Sequence, residues 1–197
     1  MRASDFVHNL YTIRNIIFIS FNTIIWRCYY YFYPNLTIRG SITFFGKPFF
    51  RNYPGGSIII GKNCSFLSKA TSNLIGINRP CILSTLTKDA TIIIGDKCGF
   101  SGTVVSAFLS ITIGNNVRCG ANTLITDSDW HFDDPRSGLS KAILIENNVW
   151  LGEGVKVLKG VTIGENSVIG AGSVVTKSVP PNVIAAGNPC KIIKQII

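Results

Sequence analysis

Aliphatic residues recur every six positions through the C-terminal half of the chain: Ile145, Leu151, Val157, Ile163, Ile169 and Val175 keep step without a slip. Gly152, Gly164 and Gly170 each follow one of them directly, and small or polar residues fill most positions between. A helix repeats at about 3.6 residues and a half-buried strand at about two, so neither accounts for a period of six. A chain that turns a corner every six residues does, pointing one aliphatic side chain inward per short flat segment. Gly and Asn collect at the corners, where turns need backbone dihedrals that most residues avoid. Three segments close a triangular coil of about 18 residues, and stacked coils bury a continuous core that one coil cannot bury alone.

The same register runs upstream in Ile113-Gly114, Cys119-Gly120 and Ile125-Thr126. The parallel phrases Ser57-Ile-Ile-Ile-Gly61 and Thr91-Ile-Ile-Ile-Gly95 read as earlier coils. Between Phe66 and Ile92 the period slips, which predicts an insertion or a distorted coil. Residues 127–144 interrupt the repeat with Asp127-Ser-Asp-Trp-His-Phe-Asp-Asp-Pro135 and Arg136-Ser-Gly138. A polar, turn-rich excursion from a rigid scaffold is the usual place for function. Residues 4–33 carry aliphatics and aromatics without the beat of six and predict one helix or two short ones.

The organisation expected is therefore a helical segment at 1–34, an all-β repeat of hexapeptide coils at 35–190 with an active-site loop at 127–144, and a basic tail at 191–197. The helical segment has two readings. It caps an open coil end, which as a bare sheet edge invites aggregation. Or its aromatic and basic residues, from Ile16 to Tyr33 with Arg14 and Arg27, make peripheral contact with a membrane interface through residues 1–33.

Composition narrows the class. The 197 residues suit one domain, and 46% apolar residues with 15% charged exclude a disordered chain. The apolar run from Ile16 to Trp26 is about half the ~20 residues a membrane span needs, is broken by Asn22 and is followed by Arg27. No small-residue cleavage site follows it, so the expectation is a cytoplasmic protein, with peripheral contact at the inner face of the membrane on the second reading of the helix. The net charge of +9 is uneven: residues 1–60 hold six Lys and Arg against Asp5 alone, and residues 176–197 hold Lys177, Lys191 and Lys194 with no acid. Two basic ends suggest two anionic partners, a phosphorylated ligand and a lipid surface. Nucleic acid is disfavoured, because no Cys/His finger or Arg-rich helix accompanies the charge.

Cys28, Cys64, Cys81, Cys98, Cys119 and Cys190 form no C-x-x-C pair, and His8 and His131 are the only histidines. A zinc cluster is therefore not expected, and no metal is assigned. The spacings Cys64 to Cys81 and Cys81 to Cys98 are both 17 residues, which suits small apolar side chains in a repeating core, so all six are read as free thiols.

Val149-Trp-Leu-Gly152, Gly160-Val-Thr-Ile-Gly164, Ile169-Gly-Ala-Gly-Ser-Val-Val-Thr-Lys177 and Ala186-Gly-Asn-Pro189 resemble the hexapeptide-repeat acyltransferases. Gly99-Phe-Ser-Gly102 and Asp127-Ser-Asp-Trp-His131 resemble the branch that O-acetylates bacterial surface polysaccharides. The resemblance runs from about residue 90 to 194 and is weaker over 35–90. It implies a left-handed parallel β-helix, a homotrimer with sites between subunits, acetyl-CoA as acyl donor, and a glycan or lipid-linked glycan as acceptor.

The resemblance also distributes roles. His131 takes the catalytic position; an imidazole titrates near neutrality and can remove a proton from the acceptor hydroxyl and return it to the CoA thiolate. Asp129 is the candidate to orient it: in an extended segment residues 127, 129 and 131 face one side. The competing reading of these acids is turn capping through backbone N–H groups, and Asp133 and Asp134 beside Pro135 suit that better still. Ser101 and Trp130 fall on the acceptor side. Trp150, next to an inward Leu151, should point outward and contact the acyl-bearing end of CoA. Gly152, Gly170, Ala171 and Gly172 would let the pantetheine arm approach the backbone, with Thr176 beside it, and Lys177, Lys191 and Lys194 would meet the CoA phosphates. One departure stands out: where galactoside-type members have an acceptor-binding Asn, this chain reads Phe100-Ser101.

The nearest alternative is N-acetylation of an amino-sugar nucleotide, which His131 would serve equally well. A γ-type carbonic anhydrase shares the fold but needs three zinc-binding histidines, more than the chain possesses. A non-catalytic β-solenoid binding a regular surface would need outward Thr ladders, and Thr91, Thr112 and Thr162 are scattered.

Overall fold

The computed structural model describes residues 3–196, with side chains described from Thr12 onward, so the side chains of Asp5 and His8 lie outside the described residues. Three sheets of six, eight and six strands, parallel except for the last strand of the second, wrap one core as a left-handed β-helix. The first sheet begins at Leu36–Ile38, the second at Ile42–Phe45 and the third at Phe49–Arg51, and the chain then visits the three in rotation. The period of six becomes spatial files. Ile60, Ile94, Ile113, Ile145 and Ile163 stack in the first sheet, each essentially without solvent exposure. In the second sheet the inward file runs Phe44, Phe66, Phe100, Cys119, Leu151, Ile169, Ala185, so the core narrows from aromatic to small along the axis. The Phe66 and Phe100 rings stack at 4.9 Å. Full burial of each large aliphatic contributes about 1.5–3 kcal/mol, and the repeat supplies it in every coil.

Corners between the first and second sheets need a left-handed residue. Asn116, Asn148, Asn166 and Asn182 take it at φ +54° to +60°, a conformation Asn tolerates better than most residues. Their amides form a ladder across coils: Asn116 donates to Asn148 at 3.0 Å, Asn148 to Asn166 at 3.0 Å and Asn166 to Asn182 at 2.9 Å.

The slipped period corresponds to an insertion between the strands Cys64–Leu67 and Ile82–Thr85. Arg79 fastens it to the following coils through the carbonyls of Gly102 (3.3 Å) and Asn122 (2.9 Å). The N-terminal segment is one helix, Ala3–Tyr31, rather than two. It lies on the first strand of the second sheet, where no earlier coil exists to bond. Thr23 Oγ1 accepts the N–H of Phe44 there at 3.0 Å, and Tyr30 is buried against Phe50 with its hydroxyl donating to the Pro48 carbonyl at 2.6 Å. No described helix is long and apolar enough to cross a membrane.

Two expectations change. Lys191–Gln195 is a strand, not a tail: it turns back antiparallel to Val183–Ala186 and covers the last edge of the second sheet. The equal cysteine spacing does not make one file either. Cys64, Cys98 and Cys119 face inward from the second sheet whereas Cys81 precedes a strand of the third, because the insertion shifts the register. All six are free thiols, and burial pushes the Cys81 and Cys119 thiols well above their usual range.

Candidate active site

The excursion is anchored by Asp127. Its fully buried carboxylate accepts three backbone N–H groups of the preceding coil, from Phe108 (2.7 Å), Leu109 (2.8 Å) and Ser110 (2.8 Å). Its carbonyl accepts the N–H of Lys141 at 3.0 Å where the chain returns to the repeat. Asp127 is thus turn chemistry, the competing reading of this residue. Asp134 is too: it holds Arg136 in a two-point contact (2.9 and 2.6 Å), and that guanidinium keeps its carboxyl below the usual carboxylate range.

Between these anchors stands Trp130 at φ +72°, which a bulky side chain rarely adopts. The surroundings over-determine it. Its N–H bonds Ser128 Oγ at 3.1 Å, its indole N–H donates to Thr126 Oγ1 at 3.0 Å, and its ring meets Phe108 edge-on at 5.2 Å. Phe132 packs on the other side of Phe108 at 4.8 Å. His131 is held between two braced aromatic neighbours, its backbone N–H bonded to the Asp129 carbonyl at 3.0 Å and its side chain exposed. The imidazole has no hydrogen-bond partner among the described residues. Beside it, a depression of about 590 Å³ is bounded by Phe108, Phe132 and residues 137–140.

The expected pairing of Asp129 with His131 is absent. The Asp129 carboxylate accepts the Gly138 N–H at 3.0 Å and pairs closely with the Lys159 ammonium, and those contacts keep it below the usual carboxylate range, Lys159 foremost. It fastens the loop to the next coil; it does not face the imidazole.

The remaining candidates fall on another part of the prism. The strand register places Ser101, Gly120, Gly152, Gly170, Ala186 and Lys191 in one file where the second sheet turns toward the third. An adjacent outward file holds Arg118, Trp150, Val168, Ile184 and Lys194. Trp150 does point outward, 54% exposed. With strands about 4.8 Å apart, Trp150 and Lys194 are separated by roughly 14 Å along that face. Ala171 adjoins the first file and is exposed. Ser101 is 9% exposed on a corner that the insertion overlies, since a Cβ on the next residue, Gly102, would meet Ile77 and Arg79 at 2.9 Å. Thr176 and Lys177, by contrast, follow the third-sheet strand Val174–Val175, and so leave the prism at the corner that carries the His131 loop. One chain therefore presents His131, Trp130, Thr176 and Lys177 at one edge of the third sheet, and Ser101, Trp150, Lys191 and Lys194 at or beyond its other edge.

The glycines have a second reason to be there. A Cβ on Gly152 would lie 2.6 Å from the Ala171 nitrogen, and one on Gly170 would lie 2.8 Å from the Ala186 Cβ. Coil stacking alone demands them. Among the described residues no three His, Cys, Asp or Glu side chains converge as a metal site. Outward threonines form no ladder: Leu144 separates Thr112 from Thr162.

Sequence reasoning did not find Lys159, Thr126, Phe108 or Arg79. Nothing in the periodicity marks them: Lys159, Phe108 and Arg79 meet their partners across coils, and Thr126 meets Trp130 because the loop folds back over it.

Comparison with known proteins agrees with this architecture. The pattern of the family described as bacterial transferase hexapeptide (six repeats) matches residues 142–177. The galactoside O-acetyltransferase of Escherichia coli (strain K12) is 48% identical over 101 residues, 49% of this chain and 49% of that protein. The galactoside O-acetyltransferase of Lactococcus lactis subsp. lactis (strain IL1403) is 50% identical over 91 residues, 44% of each. The chain spans about half the length of the curated relatives it matches. Among solved structures, AntD, an N-acyltransferase from Bacillus cereus, superposes with a TM-score of 0.64 at 21% identity, over 83% of this chain and 86% of that one. The polySia specific acetyltransferase NeuO superposes with a TM-score of 0.55 at 25% identity, over 83% and 88%.

Proposed function

The chain belongs to the hexapeptide-repeat transferases, and from that premise we propose that it is an acetyl-CoA-dependent O-acetyltransferase acting on a sugar hydroxyl of a surface glycan or its precursor. The observation that carries the reading is His131: an exposed imidazole, unpaired among the described residues, at the crest of a loop that the side chains of Asp127, Ser128 and Asp129 hold in place.

The imidazole takes the proton of the acceptor hydroxyl as that oxygen bonds to the thioester carbonyl carbon. The C–S bond then breaks, and the same proton passes to the departing thiolate, leaving a neutral ester and free CoA. No cysteine lies in the loop, so the acetyl group moves directly, without an acyl-enzyme. Trp150 packs on the acyl-bearing end of CoA, the file from Gly152 to Gly170 with Ala171 and Thr176 takes the pantetheine arm, and Lys177, Lys191 and Lys194 take the phosphates. Trp130 and Ser101 contact the acceptor. Asp129 acts on the loop rather than on the imidazole.

Because one chain splits these residues between two edges of the prism, the full set assembles where a loop of one subunit meets the second sheet of another, in a homotrimer with sites between subunits. An acetyl-CoA donor places the reaction in the cytoplasm.

The test is acetyl-CoA turnover against a panel of glycan acceptors, following free thiol and product mass, for wild type and His131→Ala. Acceptor-dependent thiol release that falls by a factor of about 10²–10⁴ in a folded, CoA-binding variant is the expected result. Equal rates in the two proteins end the mechanism. A product acetylated on nitrogen replaces the O-acetyl reading with transfer to an amino-sugar nucleotide.

A further inference from the structure

We propose that the exposed face of the N-terminal helix is a docking surface for an anionic lipid membrane. The helix uses one face on the coils, with Phe18 against Phe45 at 5.4 Å, Thr23 bonded to Phe44, and Tyr30 buried. The opposite face is apolar as well. Ile13, Ile17, Ile24 and Tyr31 fall in one stripe at helical spacing, flanked by Ile16 and Phe21, and all are more than half exposed. Scattered surface aliphatics need no explanation, but a continuous stripe does.

Charge says what covers it. Residues 1–88 hold ten Lys and Arg against Asp5 alone, which is the whole net charge of +9; residues 89–197 hold nine basic and nine acidic residues and are neutral. The positive end of the molecule is thus the end that carries the helix, not both ends. Cations accompany the helix. Arg27 borders the stripe on the Ile16 side, and two ammonium groups lie along the seam between helix and coils: Lys69 is 4.3 Å above the Phe18 ring, and Lys47 is 5.0 Å from Trp26 and 5.4 Å from Tyr29. Lys69 and Arg14 share the rim of a depression of about 460 Å³ between the helix and the insertion. An apolar stripe with a guanidinium at its border and ammonium groups along the seam beside the helix, with exposed Tyr29, Tyr31 and Phe32 at one end, matches the boundary between acyl chains and anionic headgroups. A second copy of this chain is a poor occupant, because a two-fold contact through the stripe would bring two such strongly net-positive ends together. The surface is separate from the loop of His131, and the proposal does not depend on the acyl-transfer reading.

Flotation of the full chain with phosphatidylcholine vesicles, and with vesicles that also contain phosphatidylglycerol, tests it. The protein should float with the anionic vesicles only, and added salt should release it. Ile17→Asp with Ile24→Asp should weaken partition at least about tenfold, and Lys47→Glu and Lys69→Glu about fivefold or more each. The lysine pair serves as the second set should the aspartate pair disturb the helix. Circular dichroism, the thermal transition and acetyl-CoA turnover in solution should match wild type. A folded wild type that floats with neither vesicle, or equally with both, overturns the proposal, as do variants that float as well as wild type. An assembly in lipid-free buffer that shrinks on Ile17→Asp with Ile24→Asp reassigns the face to contact between copies.

Discussion

The Lys159 ammonium reaches back thirty residues to the Asp129 carboxylate, so the loop bearing His131 is tied to the coil that follows it as well as to the coil before. Breaking either partner should leave the fold intact and loosen the histidine. Lys159→Met and Asp129→Asn should each lower kcat roughly tenfold with little change in KM for acetyl-CoA. The double variant should be no slower than the worse single one, since both remove the same contact, and Lys159→Arg should restore the rate. The pH dependence has a definite sign. Lys159 depresses the Asp129 carboxyl below its ordinary 3.8, so the contact stabilises the loop above that value and is lost as pH falls through the depressed one. Loop protection by hydrogen exchange should therefore fall in acid below that range, and Asp129→Asn should remove the effect.

Trp150 tests the cofactor side separately. Its ring is half exposed beside Arg118 and Val168, so Trp150→Ala should change thermal stability by less than about 0.5 kcal/mol. Losing an aromatic contact to the donor should raise KM for acetyl-CoA about tenfold. His131→Ala should do the reverse, acting on kcat. Steady-state kinetics of the two variants separates them, and a Trp150→Ala enzyme with unchanged KM would remove Trp150 from the donor site.

Gly152 separates packing from ligand contact. A Cβ there meets backbone atoms of Ala171 at 2.6 and 2.8 Å, and backbone cannot swing aside. Gly152→Ala should destabilise the protein by about 1–3 kcal/mol with no ligand present. Gly172, with open space around its Cβ direction and φ +70°, should accept Asn for less than about 1 kcal/mol. Thermal denaturation of both without CoA decides the matter; equal transitions would show that stacking does not demand Gly152.

Tyr30 gives an alkaline signature. Burial foremost raises its hydroxyl from 10.0 to about 12. A raised acid contributes fully below the unfolded value, and that contribution is lost as pH climbs from about 10 to about 12, where the unfolded chain ionises first. The protein should lose stability across that window as tyrosinate absorbance rises. Tyr30→Phe should flatten part of the loss, while costing about 0.5–1.5 kcal/mol at neutral pH through the unsatisfied Pro48 carbonyl.

Much of this was written in single residues. The beat from Ile145 to Val175 specifies the coil, the Asn and Gly positions specify its corners, and the slipped period after Phe66 and the polar run around His131 mark where the chain leaves the scaffold. Such information is local, because each segment of six satisfies the same short-range rule: one side chain inward, then a turn. Other features depend on which residues meet across coils. Asp127 as an anchor, Asp129 turned to Lys159 rather than to His131, and Lys191 in a closing strand all arise from contacts between segments that periodicity treats as equivalent. The division of His131 from Trp150 across the third sheet, and the helix that buries one apolar face and exposes another, come from the same source. A repeat determines what every coil has in common; the insertion, the loop and the closed ends make coils differ, and only packing in three dimensions decides which polar groups those differences bring together.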